Sequence, residues 1–146
     1  MVARTGQLLG AGLTAAMGWI HLRLWLDGYQ EIPVIGPLFL LNVIGAALLA
    51  VGLLAAPARL RGVTAAVAAG FTATTLAALL ISLTVGLFGL HESLHTPLVA
   101  PTLIVESAGV VVLTLTALLH VGLNRVRKAG GVRKAGDARK PGARRR

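Results

Sequence analysis

Four apolar stretches, each about as long as a bilayer crossing, govern what this chain can fold into. They run at about residues 8–26, 34–56, 63–89 and 98–123, and a helix needs ~20 mainly apolar residues to cross the hydrocarbon core. Inside a membrane every backbone N–H and C=O must find an internal partner, so a segment crosses as a helix or as a strand of a closed barrel. None of the four alternates apolar and polar residues as a barrel strand does. They are separated by "DGYQEIPVIGP", "APARLRG" and "HESLHTPLVAP", where proline, glycine and charge break helices.

The reading is therefore all-α: a polytopic membrane protein, with an antiparallel four-helix transmembrane bundle over residues 1–124, joined in sequential order by short connections. A basic tail over residues 125–146 follows. Hydrophobic residues make up 55% of the 146 and charged residues 13%, about half the charged share of a soluble domain. The chain has no cysteine, which excludes disulfides, thiolate metal sites and thiol redox chemistry. The first stretch reads as a retained span and not as a cleaved signal, since His21 and Arg23 stand at its far end and no small-x-small cleavage site follows.

Charge sets the direction. Arg4 precedes the first span, Arg59 and Arg61 lie in the second connection, and ten Arg or Lys occupy the tail. The first and third connections hold no Arg or Lys, only Asp27, Glu31 and Glu92 among their charges. Basic residues stay on the cytoplasmic side, so both termini are expected inside a bacterial plasma membrane, with loops 27–33 and 90–97 outside.

The tail repeats "VRKAGG", "VRKAGD" and "ARKPGA" before a final "RRR". With almost nothing apolar to bury it is expected to be disordered, and to be drawn to anionic lipid headgroups at ~1 kcal/mol per basic residue near the surface. It has no aromatic residue to stack on bases, so nucleic acid is not expected as a partner.

"HESLH", His91 to His95, fits the H-E-x-x-H pattern in which two histidines on one helical face hold zinc and the Glu activates water. Here Pro97 leaves at most one helical turn for the pair, and neither His21 nor Glu106 lies at a familiar third-ligand spacing. The pattern is read as fortuitous and the chain as non-enzymatic, with no catalytic residue and no cofactor. A divalent metal at His91 and His95 is the alternative.

Polar residues within the spans carry more information. Glu106 and Asn42 lie ~12 Å inside their spans from the outer end, Ser82 ~11 Å and His21 ~8 Å, at 1.5 Å per residue. A charged side chain costs ~2.5–3.5 kcal/mol at a helix centre on insertion scales, so it turns inward and finds a partner. His21, Asn42, Ser82 and Glu106 form an expected intramembrane polar layer. On the first span Gly10, Thr14, Met17, Gly18, His21 and Trp25 share one helical face. Trp19, Arg23 and Asp27 share another, where Arg23 can pair with Asp27 and lie over Trp19. His21 and His120 stand near opposite membrane faces and cannot ligate one haem iron.

"HLRLWLDGYQEIPVIGPLFLLN", residues 21–42, places Trp25 and Tyr29 at the interface and two prolines at the next helix start. This stretch resembles small, uncharacterised four-span membrane proteins of high-GC bacteria, a resemblance that implies the four-span layout and no assigned activity. The first functional expectation is an accessory or interaction subunit, as a homo-oligomer or within a larger membrane complex, whose polar layer fixes helix register. The alternative is a proton- or cation-linked carrier or channel using Glu106 and His21. The third is a metal-dependent hydrolase at His91, Glu92 and His95.

Overall fold

Every long apolar stretch of the chain is helical. The computed structural model describes the backbone of residues 2–138 and the side chains of residues 3–123. Helices α1 (Val2–Leu26), α2 (Ile35–Ala55), α3 (Arg61–Thr84) and α4 (Val99–Ala138) follow in order, with a 3₁₀ turn at Tyr29–Glu31. No β-strand occurs among the described residues, where Leu87 and Leu90 make one isolated bridge. Helices α2, α3 and the Val99–Leu123 part of α4 are long and apolar enough to cross a membrane. Helix α1 is as long, but Arg4, Gln7, His21 and Arg23 make it less apolar.

Helices α2 and α4 start alike. Val34 and Leu98, the residues before them, take positive φ of 70° and 68°, an uncommon conformation for a side chain that is not glycine. Pro37 and Pro101 each occupy the third helical position, where an N–H would have no intrahelical acceptor and its absence costs little.

The third span differs from its expected course. It was expected to run to residue 89, but α3 ends at Thr84. Gly86, at φ 87°, donates its N–H back to the Ile81 carbonyl, a left-handed helix stop. Leu87 and Leu90 then exchange backbone hydrogen bonds around Phe88 and Gly89, both at positive φ, the geometry of a tight two-residue hairpin turn. Glu92 N–H donates to the Ser82 carbonyl at 3.1 Å and folds the connection back over the end of α3.

The tail differs too. Disorder was expected from residue 125, whereas helical backbone continues to Ala138. A helix nucleated in an apolar span extends at one hydrogen bond per added residue, and Ala, Arg and Lys are good helix formers. Residues 139–146 of that expected tail lie outside the described residues.

Small residues set the helix contacts. A methyl group at Gly18 would meet Ala46 Cβ at 2.8 Å, and one at Gly10 would meet Leu113 at 2.5 Å. Gly45 lies under the Phe71 ring, Gly62 against His120, and Gly109 against Thr72. Such close approaches give helices in lipid their dispersion contacts. Packing is closest for α1 on α2, α3 on α4 and α1 on α4, while α2 and α3 touch more sparingly. Ala11, Leu53, Ala65, Ala68, Leu113 and Ala117 form a buried core toward one end of the helices. Leu48, Val51, Leu54, Leu115 and Leu118 are exposed on the outside, an apolar exterior suited to acyl chains and not to water.

Candidate intramembrane site

Glu106 is 0% exposed, and neither of its carboxylate oxygens has a hydrogen-bond partner. Its stripe on α4 continues through buried Gly109, Leu113 and Ala117, so the carboxyl group faces the helix interior. The facing group is His21, whose Nε2 lies 3.9 Å from Glu106 Oε1. The other ring nitrogen, Nδ1, is 3.0 Å from the Met17 carbonyl oxygen. A carbonyl only accepts, so Nδ1 carries a hydrogen and Nε2 is the nitrogen free to gain or lose a proton toward Glu106.

The other two polar residues of the layer are buried in different ways. Ser82 Oγ donates to its own helix at Leu79 O, 2.8 Å away. Asn42 is 5% exposed, and neither its Nδ2 nor its Oδ1 has a partner. The α3 threonines mainly bond back to their own helix: Thr72 to Ala68 O and Thr74 to Gly70 O, both 2.9 Å. Thr75 donates to Thr72 O at 2.9 Å, also lies 3.4 Å from Met17 Sδ, and has its hydroxyl beside the Glu106 carboxyl group.

Two cavities meet at His21. The smaller, about 60 Å³, is bounded by His21, Ser82, Thr102 and Glu106 within the helices and by Glu92 from the third connection. Its walls are otherwise mainly apolar, and a space of that size has room for water beside these polar groups. The larger, about 300 Å³, lies between α2 and α3, with Phe39, Phe71 and Phe88 among its walls and Asn42 among its few polar groups. Ile35, Phe39, Ala78 and Leu87 border both cavities.

The end of the cavity next to the first and third connections is closed by their side chains. Tyr29 Oη donates to Glu92 Oε1 at 2.5 Å, its ring stacks on Phe39 at 5.1 Å, and Phe39 in turn lies 5.0 Å from the His21 ring. Burial, then the hydrogen bond to Glu92 and its negative charge, hold the Tyr29 phenol above its ordinary range. Trp19 is exposed and Trp25 half-buried. Arg23 Nη2 stands 3.8 Å from Asp27 Oδ1, both side chains about half exposed.

His91, Glu92 and His95 lie in irregular backbone and so do not share a helical face. The His91 ring covers Gly86, Glu92 is engaged by Tyr29, and His95 is exposed. No group of three or more His, Asp or Glu able to hold a metal occurs among the described residues. Helix α3, which would have had to carry the pair, ends at Thr84 before Gly86 and the Phe88–Gly89 turn.

Sequence reasoning missed the cavity roles of Thr102, Phe39 and Glu92. Thr102 stands four residues before Glu106 on the same helical face, a spacing that could have found it. Phe39 and Glu92 act through neighbours distant in sequence and left no such signal. No protein-family model, curated protein or solved structure matches the chain.

Proposed function

We propose that the protein is a four-span membrane protein, α1 included, that passes protons through a pair formed by Glu106 and His21. In this reading the helices pack as an antiparallel bundle in a bacterial plasma membrane, with both termini cytoplasmic and the Tyr29 and Glu92 connections outside. The contacts support antiparallel order: Gly10 with Leu113 and His21 with Glu106 pair rising with falling residue numbers, as do Gly62 with His120 and Thr72 with Gly109.

One observation carries the proton reading over an accessory subunit. Polar residues that serve only to fix helix register stabilise it by hydrogen bonding across helices, whereas Glu106 is buried beside the Thr75 hydroxyl without a hydrogen bond of ordinary geometry. A carboxyl group at that depth marks a functional site by default, and the group it faces is His21. Its cavity also reaches Glu92, a carboxylate of the outer connection, which gives protons an entry. Glu106 and His21 then exchange one proton within a 3.9 Å gap.

The test is proton flux in proteoliposomes holding a pH-sensitive dye, driven by a potassium diffusion potential. Glu106→Gln is expected to bring flux down to that of protein-free vesicles. Equal flux for the variant and the parent would refute the proposal and favour an accessory role.

A further inference from the structure

The larger cavity carries an inference that rests on the membrane reading and names what the site takes besides a proton. It lies between α2 and α3, which touch sparingly, its walls are mostly apolar, and its volume of about 300 Å³ reaches the lower end of the range for small-molecule sites. Asn42 borders it, almost fully buried, with an amide donor and an amide acceptor both unused. Burying both groups unpaired is unfavourable unless a ligand supplies the missing bonds.

We infer that this cavity binds a single-chain lipophilic molecule whose uncharged head presents a donor beside an acceptor, as a carboxamide or protonated carboxylic acid does, paired with the Asn42 side chain. The depth argues for one chain and a small head, since Asn42 stands ~10 Å along α2 from Ile35, below the level of phospholipid headgroups. The mostly apolar walls argue against a charged head, which would lose its hydration there, His21 being the single titratable side chain on the lining. Thr74, Leu38, Leu41 and Phe88 border the cavity and are themselves exposed on the outside. The chain therefore leaves between α2 and α3, sideways into the bilayer.

The experiment photolabels the full-length protein in nanodiscs with a dodecanamide carrying a diazirine at its tail, and maps adducts by mass spectrometry. Labelling is expected to concentrate on Leu38, Leu41, Phe71 and Phe88, and to be competed by excess dodecanamide but not by dodecane. Asn42→Leu is expected to lower it about tenfold, the scale of one lost buried polar pairing. Thr74→Phe blocks the exposed mouth, leaves Asn42 in place and is expected to do the same, so a misfolded Asn42 variant cannot decide the matter. A dodecanoic acid probe is expected to label only when protonated. Even labelling of outward residues such as Leu48 and Leu118, indifference to both substitutions, or equal labelling by the carboxylate would overturn the inference. Proton flux measured on the same preparation separates the two ideas: labelling without flux sinks the proton reading alone, and flux without labelling sinks the ligand alone.

Discussion

Tyr29 and Glu92, 63 positions apart in the chain, share a 2.5 Å hydrogen bond from phenol to carboxylate. The bond ties the first connection to the third and closes that end of the cavity beneath. Glu92 can reach Tyr29 because the Phe88–Gly89 turn and the Glu92 N–H to Ser82 carbonyl bond bring the third connection back over α3.

This contact has a readable pH dependence. The phenol is held above its ordinary range, so below about pH 10 it is protonated in folded and unfolded chains alike and its contribution is intact. As pH rises further the unfolded chain ionises first, and the contribution is lost as the folded phenol follows. Tyr29 is the single tyrosine of the sequence, so phenolate absorbance reports it alone. The expected midpoint lies above the ordinary phenol value and falls in Glu92→Gln. A midpoint at or below about 10 would remove the contact.

That bond also marks the limit of what the sequence discloses. The α1 stripe Gly10, Thr14, Met17, Gly18 and His21 is legible at i, i+3, i+4 spacing, and these residues are buried. Trp25, read onto the same face, is only half-buried, and Leu24 is buried beside it. Periodicity gives the face that turns inward but not the neighbour it meets, so nothing in the sequence showed that Asn42 would go unpartnered while Ser82 bonds its own helix. Connections have no period at all. The fold-back of residues 85–92, which supplies Leu87 and Glu92 to the cavities, depends on turn geometry at Gly86 and Gly89 within a stretch whose apolarity reads as helix.

Two glycines separate close packing from helix propensity. A methyl group at Gly36 would stand 2.5 Å from the Gln30 carbonyl oxygen, a backbone atom with little room to yield. Gly36→Ala is expected to destabilise by about 1–3 kcal/mol. Gly12, within α1, has nothing within 4 Å of that position, so Gly12→Ala is expected to stabilise by about 0.5–1 kcal/mol. Unfolding midpoints in mild detergent check both, and equal effects would contradict the close approach of Gly36 to the Gln30 carbonyl.

The Arg23–Asp27 pair is about half exposed on both sides. Asp27→Asn is expected to change stability by less than about 1 kcal/mol, as for other surface ion pairs. A larger loss in the same unfolding assay would show that Arg23 is anchored by more than that contact.

For His91 and His95, zinc bound per chain is expected to be the same in the purified parent and in a His91→Ala, His95→Ala double variant, because the carboxylate between them is engaged by Tyr29. A stoichiometric zinc content that disappears in the double variant would restore the motif as a metal site.

The most direct measurement of the central claim is a double-mutant cycle on proton flux with His21→Gln, Glu106→Gln and the two combined. Groups that act as one unit lose their joint effect once, so the three variants are expected to show the same residual flux. Losses that multiply in the combined variant would mean that the two residues act separately, and would contradict proton exchange across the 3.9 Å between them.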